Sequence, residues 1–111
     1  MIALRPAPRG ADVPATAEAL LESLGGPTML VAEGHDPSRT RGIVTLLHGN
    51  EPSGVCAVTE LLRSDVVPAT RTVILIASVE AALAPRTFTH RMLPGRRDLN
   101  RCFREPFDGT D

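Results

Sequence analysis

Two groups of residues in this chain have the types and spacing to do chemistry. The first is His48-Gly49-Asn50-Glu51, which follows an apolar, β-branched run and precedes a stretch of helical periodicity opened by Pro52. Imidazole nitrogen and carboxylate oxygen both suit Zn²⁺, and so short a turn aims the two side chains at one point. Gly49 lets the backbone bend closely between them. The exit of a strand is also where open α/β sheets place their ligands. A structural reading stands beside the metal reading. His48 then closes a strand and Glu51 lies near a helix amino terminus, where the helix dipole favours negative charge. An isolated His-x-x-Glu does not decide between them.

The second group is Arg96-Arg97-Asp98-Leu99-Asn100-Arg101, with Arg91 just upstream. Guanidinium groups and an Asn amide suit a substrate carboxylate, gripped by charge-assisted and bidentate hydrogen bonds. The alternative is a solvated basic loop paired with Asp98, Glu105 and Asp108. Neither cysteine lies in a metal-ligand pattern: Cys56 reads as a small core residue, and Cys102 has no base beside it.

These residues need elements to position them. Residues 1–12 are rich in Pro, Arg and Gly without periodicity and read as a loosely held, flexible arm. Val13, Ala17, Leu20, Leu21 and Leu24 recur at helical spacing, so a helix is expected over residues 14–24, stopped by Gly25-Gly26. Residues 28–32 and 42–47 read as strands. Residues 33–41 read as a polar turn able to join them as an antiparallel pair. A helix over residues 52–63 carries the apolar stripe Val55, Val58, Leu61 and Leu62. The almost wholly apolar run 72–77 is expected to be a strand covered on both faces. Strand, helix and strand form a βαβ unit, whose crossover should be right-handed. Residues 79–84 suggest a short helix ended by Pro85, and residues 86–111 an irregular surface segment.

Composition narrows the function classes. With 111 residues the chain has the length of one small domain, and with three Phe and no Trp or Tyr its core must be aliphatic. A net charge of -1 offers no attraction to nucleic acid or an anionic membrane. All twelve cationic residues are Arg. No apolar run approaches the ~18 residues of a membrane span, and no signal peptide is legible. Low cysteine content points to a reduced, cytoplasmic setting.

Taken together, His48-Gly49-Asn50-Glu51 after a strand and Asp98-Leu99-Asn100-Arg101 about fifty residues later, with a βαβ unit between, resemble the succinylglutamate desuccinylase/aspartoacylase family, relatives of the zinc carboxypeptidases. The resemblance spans roughly residues 28–103 and resembles the amino-terminal portion of the family's catalytic domain. It implies an α/β fold: a partial three-layer sandwich of zinc carboxypeptidase-like type with a mixed sheet. Residues 13–111 would be the first part of that domain.

The resemblance further implies that His48 and Glu51 are ligands of Zn²⁺ and that Asn100 and Arg101 hold the carboxylate of a small-molecule substrate. An upstream Arg that stabilises the oxyanion matches Arg91, with Arg96 as its rival because the intervening segment, with Met92-Leu93-Pro94-Gly95, is longer than usual. Ser78-Val79 stands where relatives often have Asn-Pro. The implied activity is zinc-dependent hydrolysis of the amide bond of an N-acyl amino acid. In the family the third zinc ligand, a His, and the general base, a Glu, come from segments beyond the position matching Asp111, so the expected activity of this chain is incomplete. The competing readings are a non-catalytic anion-binding module, with His48 and Glu51 structural, and an inactive structural remnant.

Overall fold

The structure, a computed structural model, describes residues 2–101; Cys102 and the remainder of the irregular segment to Asp111 lie outside the described residues. Four strands make one mixed sheet: β1 (Ala3–Pro6), β2 (Thr28–Ala32), β3 (Asp36–Thr45) and β4 (Thr70–Ile76), in the order β1-β2-β4-β3. Three helices, α1 (Ala17–Leu24), α2 (Ser53–Arg63) and α3 (Val79–Leu83), complete the α/β fold. None of the described helices is long and apolar enough to cross a membrane.

The central unit is β3-α2-β4. β3 and β4 are parallel neighbours in register from Arg41↔Thr72 to Thr45↔Ile76, with α2 as the crossover. β2 lies antiparallel on the other side of β4, from Thr28↔Ile76 to Ala32↔Thr72. The hairpin open to residues 28–47 does not form, because β4 takes the place between β2 and β3. Residues 36–41, read as a polar turn, are the first half of β3. That strand is a sheet edge whose first half is packed on neither face, so nothing selects apolar residues there, and its register slips between Asp36 and Thr40.

The Pro- and Arg-rich start, read as a flexible arm, contributes β1, which pairs in parallel with β2 from Ala3↔Thr28 to Pro6↔Val31. Pro6 is tolerated because an edge strand leaves one side of its backbone unpaired. Arg9 then pairs with Asp65 at 2.9 Å and donates to the Asp65 carbonyl at 3.2 Å, tying the arm to the turn after α2. In α1, Thr16 caps the helix by accepting from the Ala19 amide at 3.1 Å, so the helix starts at Ala17 and not at Pro14. Gly25, with φ of 76°, ends it in the left-handed conformation that favours glycine.

One core lies between the helices and one face of the sheet. Leu30, Ile74 and Ile76 meet Leu20 and Leu21 of α1, Val55, Val58 and Leu62 of α2, and Val79 and Ala82 of α3. On α2 the buried face is Val55, Val58, Thr59 and Leu62. Thr59 is accommodated there by donating to the Val55 carbonyl at 2.7 Å. Leu61 and Cys56, expected on the apolar side, are exposed.

β4 is buried on one face only: Thr72, Ile74 and Ile76 point into the core, while Arg71, Val73 and Leu75 are half-buried. Their outward neighbours are Met29 and Val31 on β2, also half-buried, and Val44 on β3, which is 55% exposed. The described residues therefore form two layers. Cutting Ile74 to Ala is expected to cost about 2–5 kcal/mol, the range for deleting a buried aliphatic side chain. Val44→Thr on the open face should stay within about 0.5 kcal/mol. Urea denaturation of the two variants measures both, and equal losses would contradict the one-sided core.

Candidate functional site

The site is built where β3 and β4 end side by side. Leu46, at φ of 56°, turns the chain out of β3. The Ala77 amide donates to the Thr45 carbonyl (3.2 Å) and the Ser78 amide to the Leu46 carbonyl (2.8 Å), extending the strand pairing into the turn. Ser78, the departure from Asn-Pro, adds a hydroxyl bond of 2.7 Å to the Leu47 carbonyl. The backbone leading into His48 is thus held from the β4 side.

Gly49 is buried against backbone. A Cβ there would meet the His90 carbonyl oxygen and come within 2.7 Å of the Ala82 nitrogen and 2.8 Å of the Ala81 carbonyl carbon. The Gly49 amide donates to the Arg91 carbonyl at 2.9 Å. The glycine thus serves the approach of α3 and of the 90–91 backbone, and not a left-handed turn conformation.

His48 is 6% exposed and is engaged at both ring nitrogens. Nδ1 lies 3.0 Å from Glu51 Oε1, and Nε2 lies 2.6 Å from Asp98 Oδ1. Glu51 Oε1 also accepts from the His48 amide at 3.1 Å, which closes the turn. Asp98 is in turn gripped by Arg91, whose Nε and Nη2 donate to Oδ2 at 3.2 and 2.8 Å, and its Oδ1 accepts from the Asn100 amide at 2.9 Å. The hydrogen bond from His48 and then the Arg91 fork hold the Asp98 carboxyl well below the usual carboxylate range, so it is ionised at neutral pH.

This arrangement bears on metal binding through its proton count. An ionised Asp98 at 2.6 Å calls for a proton on Nε2, which leaves the Nδ1 lone pair to take up a proton or bind a cation. That lone pair faces a carboxylate oxygen at 3.0 Å, an encounter that needs a proton or a cation between the two. Two ligands at zinc-bond lengths of 2.0–2.2 Å in tetrahedral geometry stand about 3.3–3.6 Å apart. The donor types therefore suit two positions around Zn²⁺, and the two atoms, 3.0 Å apart, would have to separate by about 0.3–0.6 Å to take them. Among the described residues no group of three or more His, Cys, Asp or Glu side chains that could hold a metal ion is found.

Of the residues singled out from the sequence, His48 and Glu51 are adjacent, and Arg91 joins them through Asp98. Asn100 and Arg101 lie on the single 3₁₀ turn Leu99–Arg101 directly after Asp98, both exposed. They reach the cluster through their backbone: the Asn100 amide donates to Asp98 Oδ1, and the Arg101 amide to the Asp98 carbonyl, both at 2.9 Å. Arg96 stands apart, 3.8 Å from Glu80, with no contact to His48. The residue underrated in the sequence is Asp98, taken there only as a partner for basic neighbours. Its signal was an acid heading the Asp-Leu-Asn-Arg motif, where a metal-binding imidazole would need a second partner.

The model of the succinylglutamate desuccinylase/aspartoacylase catalytic domain matches residues 39–111. The chain belongs to that family. The match opens within β3, later than the residue 28 read from the sequence, and includes both motifs. No curated protein and no solved structure matches the chain significantly. Membership of this catalytic-domain family supports a hydrolase function of the deacylase or amidohydrolase type.

Gly49→Ala should destabilise the fold by about 1–3 kcal/mol, the usual range for overpacking, because the atoms in its way are backbone. Gly26→Ala, where nothing lies within 4 Å of the added Cβ, should be neutral or slightly stabilising. Denaturation midpoints of the two variants provide the check, and a harmless Gly49→Ala would contradict the close approach.

Proposed function

We propose that His48 and Glu51 are two of the ligands of a catalytic Zn²⁺, in a site that hydrolyses the amide bond of an N-acyl amino acid or a related carboxylate-bearing small molecule. The observation that carries this reading is the pairing of His48 Nδ1 with Glu51 Oε1 while Nε2 is anchored on Asp98. A ligating imidazole is ordinarily fixed in this way by a carboxylate on its other nitrogen, which sets the tautomer and raises the basicity of the ligand. When bound, the ion supplies Lewis-acid activation of water and polarisation of the scissile carbonyl.

The chain's own residues have separable tasks. Asp98 accepts a hydrogen bond from His48 Nε2 and keeps the ring from turning, and Arg91 balances the charge of Asp98. Arg91 spends two donors of its five on that carboxylate. The remaining donors support a second task, stabilising charge that develops on the carbonyl oxygen. Arg96, paired towards Glu80 and away from His48, is the weaker candidate for it. Asn100 and Arg101 bind the substrate carboxylate in this reading, which their exposure directly after Asp98 supports. Glu51 and Asp98 are both engaged with His48, so neither is an unoccupied general base. A third ligand and a general base, as in the family's complete sites, belong to this proposal, together with the three-layer sandwich that would cover the open sheet face. A cytoplasmic setting does as well.

The test begins with zinc itself. Zinc titration of the 111-residue chain should show binding that His48→Ala abolishes. Asp98→Asn should weaken it by roughly 10–100-fold, the usual effect of losing the carboxylate behind a ligating imidazole. Binding indifferent to His48 would remove the metal reading. A second prediction concerns turnover: zinc-loaded residues 1–111 should show no substantial hydrolysis of N-acyl amino acids, because the two ligands proposed among the described residues hold the ion weakly and a positioned acid-base group contributes ~10²–10⁴-fold. Turnover abolished by His48→Ala would instead show that the chain completes its site from its own residues or from a second copy.

A further inference from the structure

Beside the site, beyond the carboxyl end of β4, lies a cavity of about 210 Å³. Its walls include Pro27, Ala81, Met92, Leu93 and Leu99, and its charged lining is Arg96, Arg97 and Glu80. His48, Glu51, Asp98, Asn100 and Arg101 do not line it, so it is distinct from the cluster proposed to hold zinc.

Among the described residues the charges in this cavity do not cancel. Glu80 has Arg96 at 3.8 Å as counter-charge. Arg97 is half-buried and makes no hydrogen bond or ion pair among the described residues. A guanidinium partly withdrawn from water favours an anion, and its planar fork fits a carboxylate with two parallel bonds. The apolar walls select further. A strongly hydrated inorganic dianion would give up water to face Met92, Leu93 and Leu99, whereas an aliphatic tail gains by burial there. The volume is below the ~300–1,000 Å³ of pockets for drug-sized ligands, so the tail must be short.

We propose that this cavity is a second anion site, taking a small aliphatic monocarboxylate of the hexanoate class with Arg97 as its counter-charge. It stands independently of the zinc reading, because none of its walls belongs to that cluster. The site lies directly behind the loop that carries Asp98, since Arg97 and Leu99 flank that residue in sequence. An occupant therefore touches the segment that anchors His48.

The experiment is a titration of the ¹⁵N-labelled 111-residue chain with hexanoate, followed by amide shifts. Saturable shifts are expected at Ala77, Glu80, Leu93 and Leu99, with affinity rising roughly fourfold per methylene from butyrate to hexanoate. Arg97→Gln should raise the dissociation constant at least tenfold, while Arg101→Ala leaves it unchanged. Hexylamine should give no saturable shift. If Arg97→Gln perturbs the folded spectrum, the chain-length series and the Arg101→Ala arm still decide. Absence of saturable shifts, or phosphate binding as tightly as hexanoate, would overturn the proposal. So would loss of hexanoate binding on Arg101→Ala with Arg97→Gln neutral, which would assign the carboxylate to the turn after Asp98.

Discussion

The imidazole of His48 is held at both nitrogens, by Glu51 three residues away and by Asp98 fifty residues away. Much of the local architecture exists to make those two contacts simultaneous. The turn from β3, with Leu46 in the left-handed region, must be sharp enough for Glu51 to reach back to His48, and position 49 must lack a Cβ for the backbone of α3 and of His90 to close over it. The segment carrying Asp98 must lie over the strand ends, and it is drawn there by the Gly49 amide on the Arg91 carbonyl and by the Arg91 fork on Asp98. A side chain so placed loses rotational freedom before any ligand arrives, which lowers the ordering cost of binding.

Rigidity at this point comes from the sheet. β3 and β4 are joined along their length and remain joined past their ends, through the Ala77 and Ser78 amides and the Ser78 hydroxyl. The Val79 amide, which Pro would lack, donates to the Ala77 carbonyl at 3.0 Å, and Val79 opens a short helix whose Ala81 and Ala82 backbone closes over Gly49. The departure from the usual Asn-Pro pair thus leaves the turn closed by other bonds. The other face of the sheet is different in character: Met29, Val31, Val73, Leu75 and Val44 form a continuous apolar surface that no described helix covers. Such a face is normally buried in an α/β sandwich, as the near-continuous hydrophobic run of β4 already implied.

The parts of the fold legible in the sequence were those set by local periodicity. The βαβ unit followed from an apolar run, a stripe at helical spacing and a second apolar run, and it forms with its strands parallel. α1 was legible from Leu20, Leu21 and Leu24, although its start was misplaced, since Thr16 and not Pro14 makes the capping bond. β1 and the first half of β3 were not legible. Both are edge segments with little side-chain burial, so backbone pairing rather than a hydrophobic pattern decides them. Cys56 and Leu61 were assigned to the core because helical spacing alone leaves the angular width of the buried face open. The packing against α1 and the sheet sets that width, and it selects Thr59 instead.

The same division holds for the site. Sequence determined its chemical types and its location, because a His-x-x-Glu turn at a strand exit is a local arrangement, and the motif with Asp98, Asn100 and Arg101 is read by residue identity. It could not decide which of Arg91 and Arg96 approaches His48, since both lie in an aperiodic segment whose path is fixed by contacts and not by local preference. Tertiary structure directs Arg91 to Asp98 and Arg96 to Glu80. It also turns Asp98 from one charge in a basic loop into the partner of a buried imidazole, a role that depends on a 2.6 Å approach between residues fifty positions apart.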